Sequence, residues 1–311
     1  MVEPQLPARG KVDLSIIIVN WNTRELLAGC LQSVYETAGD LECEVFVVDN
    51  ASTDGSIQMV RERFPQVRLI QNPRNVGFAR ANNQAIRKGS GHYVLLLNPD
   101  TEILPGALKT LMDFIESHPE AGAVGPMILN PDLTLQSSCN PMPTLCRELW
   151  RLMHLDRFLP QAVYREENWD TTVAHKVEVI QGNCLLLCRE ALSDIGLLDE
   201  AFFMFTEEVD LCYRLLRRGW SLYWVPMARI IHYGGQSTRQ VAEEMFVELH
   251  RSKAIFFRKT RGRWGSLAYK LVLLAVILTR VLWNTMSLGM ANRAGQRLCS
   301  YVKLLRMLPC L

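Results

Sequence analysis

Three apolar runs of this chain stop abruptly in hydrogen-bond acceptors. Leu14 to Val19 ends in Asn20-Trp21-Asn22, and Val45 to Val48 ends in Asp49-Asn50-Ala51-Ser52-Thr53-Asp54-Gly55. Tyr93 to Leu97 ends in Asn98-Pro99-Asp100. Acceptors delivered at the carboxyl ends of buried strands are how an open α/β sheet presents a ligand site, although the same residue types also make ordinary turns. A fourth polar cluster is Glu207-Glu208-Val209-Asp210, preceded by Thr206, a residue that can cap a helix running to Arg218 and ending at Gly219. Carboxylates crowded into a first turn suit the helix dipole, and Asp210 is spaced to pair with Arg214, so a structural reading stands beside a catalytic one. His232 follows the apolar pair Ile230-Ile231, a setting in which a lone histidine is usually structural.

The elements that must position these groups alternate. After the first run, Leu27, Cys30, Leu31, Val34 and Tyr35 recur at helical spacing, with Asn22 and Glu25 resembling a capping box. After the second, Ile57, Val60 and Phe64 mark another helix, stopped by Pro65. Val67-Arg68-Leu69-Ile70 gives a third strand, Asn75-Val76-Gly77-Phe78 a turn, and Ala79 to Lys88 a helix leading into Tyr93 to Leu97. The β-α-β-α-β-α-β order predicts a mostly parallel sheet with right-handed crossovers and its ligand outside the strands' carboxyl ends. No GxGxxG or GxxxxGK[ST] follows any strand, so dinucleotide and P-loop readings lose their main support.

Composition is that of an ordinary globular protein rather than a disordered one: 311 residues, 21% charged and 49% apolar, with a net charge of +2 that indicates no general attraction for nucleic acid. Nine cysteines without a CxxC pair, several of them inside apolar runs, argue for a reducing compartment. Met1 to Gly10 lacks an apolar core, so no signal peptide is expected and the catalytic part should stay in the cytoplasm.

Together Ile17-Ile18-Val19-Asn20-Trp21-Asn22, Val47-Val48-Asp49-Asn50-Ala51-Ser52-Thr53-Asp54-Gly55, Asn75-Val76-Gly77-Phe78-Ala79-Arg80-Ala81-Asn82-Asn83 and Leu97-Asn98-Pro99-Asp100 resemble, in order, family 2 glycosyltransferases of GT-A fold, nearest their bacterial rhamnosyltransferase branch. The resemblance implies that Asp49 bonds the pyrimidine base of a nucleotide-sugar, since a carboxylate can accept the N3 hydrogen of uracil or thymine. It implies that Val19, Asn20 and Asn22 close over base and ribose, with Asp54 on the neighbouring loop. Asn75, Gly77 and Arg80 would lie near the diphosphate or sugar, though Arg80 equally suits a solvated helix face.

Asp100 takes the last position of the family's DxD motif, which holds Mg²⁺ or Mn²⁺ on the diphosphate. Asn98 stands where the motif's first aspartate would be, which removes one anionic ligand. The resemblance makes His232 a second ligand and Glu208 the base that deprotonates the acceptor hydroxyl in an inverting transfer, with Glu207 second and Asp210 orienting the site. The implied substrates are dTDP-L-rhamnose and a saccharide, lipid-linked, in cell-wall or surface-polysaccharide assembly. The rivals are a sugar-phosphate nucleotidyltransferase, which would want a basic glycine-rich loop where Asn20-Trp21-Asn22-Thr23 stands, and a non-catalytic saccharide-binding protein, which the acidic cluster disfavours.

Four regions are expected: a tail over 1–10, a nucleotide-sugar-binding half over 11–102, an acceptor-binding and catalytic half over 103–250, and a basic, hydrophobic membrane-association region over 251–311. Between Asn130 and His175 periodicity is lost, which makes that stretch a candidate acceptor loop, lid or plain insertion. Gly182, interrupting an apolar strand, marks a place for close approach. Arg251, Lys253, Arg258, Lys259, Arg261 and Arg263 have no acid among them. The apolar run from Leu271 to Thr279 that follows is shorter than the roughly 20 residues of a spanning helix and is broken by Arg280. Lys270, Trp264, Tyr269 and Trp283 suit a headgroup zone, so a monotopic helix at the cytoplasmic face of the cell membrane is expected, with a docking helix as the alternative.

Overall fold

The computed structural model describes residues 12–155 and 163–286, the last six by backbone alone. The expected tail (1–10), Pro160, the side chain of Trp283 and the 287–311 end of the membrane-association region lie outside the described residues.

The first half is the predicted alternation: β1 (Leu14–Asn20), α1 (Arg24–Thr37), β2 (Cys43–Asp49), α2 (Ser56–Arg63), β3 (Arg68–Gln71), α3 (Phe78–Ile86) and β4 (Tyr93–Leu97). Then come β5 (Thr101–Ile103), α4 (Ala107–Ser117), β6 (Ala121–Leu129), β7 (Leu135–Gln136), β8 (Cys139–Asn140) and α5 (Leu145–Leu152). They are followed by β9 (His175–Lys176), β10 (Val179–Ile180), β11 (Cys184–Cys188), α6 (Arg189–Ile195), α7 (Glu207–Arg217), β12 (Ser221–His232), α8 (Gln236–Arg239) and α9 (Ala242–Met286).

The main sheet runs β3-β2-β1-β4-β11-β6-β12-β5. Its first four strands are parallel, whereas β11 is antiparallel to both β4 and β6 and β5 is antiparallel to β12, so the second half is mixed. Every residue of β1 is buried, as its β-branched run requires of a central parallel strand. Leu27 and Leu31 of α1 and Leu108 and Leu111 of α4 share one core with Ile16, Ile18, Leu95 and Leu97. The strand order reverses at β1, between β2 and β4, which is where an open α/β sheet leaves its ligand crevice.

Three local expectations are corrected. Asn22 does not cap α1: its side chain accepts from the Thr53 N–H, and it is Asp54 that accepts from the first helical N–H, Arg24. Thr206 has φ 69°, left-handed rather than the extended conformation of an ordinary N-cap. Val179–Ile180 and Cys184–Cys188 are not one strand, because β10 pairs with β8 in a separate two-stranded sheet.

Contacts divide the chain into two compact units. The first comprises 1–140, 165–203 and 207–240, and the second 141–164, 204–206 and 241–311. Part of the aperiodic stretch after Asn130 therefore packs with the C-terminal helix. Within the second unit, α9 is broken at Gly262 (φ 70°, ψ −168°). His250 Nδ1 lies 2.7 Å from the Tyr269 hydroxyl, although a straight helix would hold residues that far apart in sequence roughly 28 Å apart. The chain thus folds back into a helical hairpin. The partly buried Lys253 ammonium binds the buried Glu148 of α5 at 2.6 Å, and the Arg280 guanidinium donates to the Leu152 carbonyl. Leu273, Val276 and Ile277 are buried while Trp264, Leu267, Leu271, Ala275 and Leu278 are exposed. Tyr269, buried on His250, does not take the headgroup position expected of it.

Candidate functional site

At the end of β1, Asn20 stands opposite Asp49 of β2. Asn20 Nδ2 donates to Asp49 Oδ1 (2.9 Å), and the Ser52 N–H donates to Asp49 Oδ2 (2.9 Å). The Ser52 hydroxyl accepts from the Asn22 N–H, tying the first loop to the second. Asp49 is therefore a buried acceptor held by two donors. Val19 is buried just below this junction. Asn22 (φ 53°) and Ala51 (φ 63°) both take left-handed backbone here, a cost that tight functional loops carry. Asp54 accepts from the Arg24 N–H with one oxygen and from the Ser56 N–H and hydroxyl with the other, so its carboxylate anchors the starts of α1 and α2. Those donors outweigh burial and hold its pKa below the usual carboxylate range.

Asn75 Oδ1 accepts from the Gly77 N–H, and the Phe78 N–H donates to the Phe203 carbonyl (2.7 Å). Gly77 has φ 85°, and a Cβ on it would stand against the Phe203 carbonyl oxygen and 2.8 Å from the Phe203 ring. Gly77→Ala is accordingly expected to cost about 2 kcal/mol or more and to lower Tm by roughly 5 °C, checked by thermal unfolding. Arg80 makes an ion pair with Glu200 at 3.5 Å, and Arg87 binds the same carboxylate. Arg80 is thus engaged with the 197–200 segment, which Asn83 also grips through the Leu198 backbone.

At the end of β4, the Asn98 N–H donates to the Asn183 carbonyl, and the Asn98 carbonyl accepts from the Thr101 hydroxyl. Asp100 is buried. Its Oδ1 lies 3.3 Å from His232 Nε2, and its Oδ2 accepts from the Gln236 N–H at 3.1 Å. Burial would raise the Asp100 pKa, but the His232 imidazole and the Gln236 N–H outweigh it and hold the carboxyl below its ordinary range. His232 is the last residue of β12 and pairs with Thr101 of β5, which is how residues 132 positions apart meet. The Ser237 hydroxyl and the Gln240 side chain donate to the Trp21 and Asn22 carbonyls, so the segment after His232 closes on the first loop.

Among the described residues, no group of three or more His, Cys, Asp or Glu side chains is arranged to hold a metal ion. The Asp100–His232 pair nevertheless suits one: His232 Nε2 is a buried nitrogen that makes no hydrogen bond and faces an anionic oxygen. A small hard cation that takes further oxygen ligands from phosphates fits that pair.

The acidic segment opens α7. Phe205 and Thr206 both have φ near 70°, a costly conformation for non-glycine residues and most of all for a β-branched one, and they set the entry into Glu207–Arg217. Glu207 is buried. Glu208 lies beside Gly182, where an added Cβ would meet Glu208 Cβ at 3.6 Å, an ordinary packing distance, so the close approach expected at Gly182 is not required by the structure. Gly182 adjoins Asn183, the partner of Asn98, and this proximity links the α7 carboxylates to the β4 tip. Asp210 is bound by Arg214 at 2.8 Å, and Arg214 also donates to the carbonyls of Ile195, Gly196 and Leu197, so Asp210 braces the helix. Sequence reasoning missed Asn183, whose buried Nδ2 makes no hydrogen bond among the described residues, as well as Ser52 and Gln236.

The profile described as "Glycosyl transferase family 2" matches residues 15–194. The chain is 32% identical over 266 residues to the N-acetylglucosaminyl-diphospho-decaprenol L-rhamnosyltransferase of Mycobacterium tuberculosis, covering 81% of this chain and 86% of that one. It is 26% identical over 178 residues to the rhamnosyltransferase WbbL of Escherichia coli, covering 55% of this chain and 66% of that one. Among solved structures, the mannosyltransferase PcManGT of Pyrobaculum calidifontis, in complex with GDP-Man and Mn²⁺, shares the fold with TM-score 0.52 at 18% identity, covering 98% of this chain and 88% of that one. GalNAc-T7 with UDP, GalNAc and Mn²⁺ shares it with TM-score 0.55 at 16% identity, covering 71% and 44%.

Proposed function

The chain is a member of glycosyl transferase family 2, and on that premise we propose that it is an inverting rhamnosyltransferase. It moves L-rhamnose from dTDP-L-rhamnose to a hydroxyl of a lipid-linked saccharide, in cell-wall or surface-polysaccharide assembly at the cytoplasmic face of the cell membrane. The observation that carries this reading is the pairing of the buried Asp100 with the partly buried His232, set at the carboxyl edge of a sheet whose neighbouring loop presents Asp49.

Asp49, steadied by Asn20 and Ser52, accepts the N3 hydrogen of the pyrimidine, while Asn22 and Val19 shape the loop over base and ribose. Gly77, held by Asn75, sits toward the diphosphate end, and Arg80 of α3 would reach that end by leaving Glu200, with which it pairs. Asn98 belongs to the same tip. Asp100 and His232 would hold Mg²⁺ or Mn²⁺. When bound, the ion supplies Lewis-acid compensation for charge on the departing diphosphate. Glu208 takes the proton from the acceptor hydroxyl as that oxygen attacks the anomeric carbon, Glu207 adds negative charge beside it, and Asp210 keeps α7 in place through Arg214.

The reading is tested by incubating the purified protein with a panel of nucleotide-sugars and Mg²⁺ or Mn²⁺, with and without membrane lipid extract. Nucleoside-diphosphate release from dTDP-L-rhamnose that depends on the extract is expected. Release from another donor alone would change the sugar, and no release from any donor would favour a binding protein.

Membrane association rests on the second unit taken by itself. Trp264, Leu267, Leu271, Ala275 and Leu278 recur at steps of three and four, giving one exposed apolar stripe on a helix, and Trp264 is 81% exposed. Arg258, Lys259, Arg261 and Arg263 are exposed around the break at Gly262. Apolar stripe plus basic turn is the composition of an interfacial helix on anionic lipid. In flotation with vesicles containing anionic phospholipid, the wild type is expected to rise with the lipid at low salt, and the double variant W264E/L271E is expected to stay behind with an unchanged circular dichroism spectrum. A wild type that remained with the soluble fraction at low salt would sink the membrane reading.

A further inference from the structure

We propose that Gln136 is a positioning residue that fixes the tautomer of His232, through a relay begun at Asp132, so that Nε2 is the nitrogen offered toward Asp100. The importance of the relay for transfer rests on the reading of His232 as a cation ligand; the relay itself stands on hydrogen-bond geometry.

The relay is built on the hairpin between β6 and β7, closed by backbone bonds from the Asn130 N–H to the Thr134 carbonyl and from the Leu133 N–H to the Asn130 carbonyl, both 2.8 Å. Its direction follows from groups that can only accept. The Asp132 carboxylate accepts the Thr134 hydroxyl proton, Oγ1 to Oδ1 being 2.6 Å, and these Thr134 donors hold its pKa below the usual range. With its one proton so used, Thr134 Oγ1 must accept from Asn130, which places Asn130 Nδ2 there at 2.9 Å and within 3.5 Å of the Leu135 carbonyl. Asn130 Oδ1 is then the atom that accepts from Gln136 Nε2 at 2.7 Å. Gln136 Nε2 also reaches the His232 carbonyl at 3.4 Å. Turning the Gln136 amide over would set its oxygen against two acceptors, the Asn130 Oδ1 and the His232 carbonyl.

That leaves Gln136 Oε1 against His232 Nδ1 at 2.6 Å. An amide oxygen carries no proton, so Nδ1 is the N–H. The other nitrogen, Nε2, is the one 3.3 Å from Asp100 Oδ1. A metal-binding histidine generally donates its second ring N–H to an outer acceptor, which sets both tautomer and ring orientation, and removing that acceptor typically costs 10–100-fold in metal affinity. Ile128 of β6 pairs with Gln136 on one side and Ile230 on the other, and Leu129 pairs with Ile231, the residue before His232, so backbone pairing holds the two strands that the amide bridges.

The experiment uses the full-length chain labelled with ¹⁵N-histidine, and compares the wild type with Q136L, Q136E, T134V and H232A. One readout is the ¹⁵N chemical shifts of the His232 ring, identified by their loss in H232A. The other is Mn²⁺ affinity in the presence of dTDP, read by electron paramagnetic resonance without turnover. With Mg²⁺ and dTDP bound, the wild type should show protonated Nδ1 and an unprotonated Nε2. Q136L should lose that signature and bind Mn²⁺ about 10–100-fold more weakly, T134V should lie between, and Q136E, which keeps the Oε1 acceptor but sets its second oxygen against Asn130 Oδ1 and the His232 carbonyl, should keep the Nδ1–H signature and recover only part of the affinity. A Q136L protein that is folded and keeps both the Nδ1–H signature and the wild-type affinity overturns the proposal. If H232A binds Mn²⁺ as well as the wild type, the cation reading of His232 fails, and the ring shifts of Q136L and T134V still decide the relay on their own. If Q136L does not fold, T134V carries the test: an unchanged tautomer there overturns the relay.

Discussion

Replacing Glu208 with glutamine is expected to stop sugar transfer while the fold and donor binding persist. A positioned general base contributes on the order of 10²–10⁴ in rate, so kcat should fall by roughly 10³ with the donor KM within a few-fold of wild type. Glutamine keeps the shape of the side chain, including its place beside Gly182, but cannot take a proton. The expectation rests on place as much as on type. Glu208 stands in the first turn of a helix entered through two left-handed residues, Phe205 and Thr206, and strain of that kind persists where geometry is functionally constrained. Asp210, two residues on, is committed to Arg214 and is a weak rival for the role. Single-turnover assays with purified protein and lipid-linked acceptor check the prediction. Activity retained in E208Q would move the base to Glu207, and E207Q would then show the loss instead.

The second large effect is expected at Asp100. Asp100→Asn preserves size and an oxygen for the Gln236 N–H but removes the negative charge 3.3 Å from His232 Nε2. Offsetting charge on a departing diphosphate is worth several kcal/mol, so kcat/KM should drop by about 10²–10³, with Mn²⁺ affinity measured alongside dTDP falling in parallel. Raised Mn²⁺ should recover part of the activity, because His232 and the donor's phosphates remain. Asn98 sharpens the expectation: with an amide where the motif's first aspartate would stand, the tip has one carboxylate and no second to share the load. Full activity of D100N at micromolar metal would remove Asp100 from the cation site and return it to a structural role beside Tyr233 and Gln236.

Much of this site was legible because its parts are local. An apolar run followed within three residues by Asn20, Asp49 or Asp100 states, over a short distance, both a buried strand and the acceptor at its tip. Parallel crossovers then bring all the tips to one edge without further information. The carboxylates opening α7 were legible for the same reason, as was the tie between Asp210 and Arg214, which needs only helical spacing. Arg80 and Asp54 were less legible. Their types suit a phosphate and a ribose, yet Glu200 and the first N–H groups of two helices are what they bind, and those partners lie more than 100 and up to 30 residues away.

By itself, then, the sequence determined the alternating half of the fold, the family and the residues at each strand tip, because periodicity and tip chemistry are written over short distances. Only the tertiary structure decided what those tips meet. The antiparallel β11, inserted between β4 and β6, sets Asn183 beside Asn98, and Gly182 next to it lies beside Glu208. The pairing of β12 with β5 sets His232 against Asp100, and the hairpin after β6 gives that imidazole its partner in Gln136. Burial of Tyr269 on His250 turns a long apolar stretch into a hairpin with one exposed stripe. These are contacts between residues 19 to more than 100 apart. They depend on register and strand order, which no local pattern encodes.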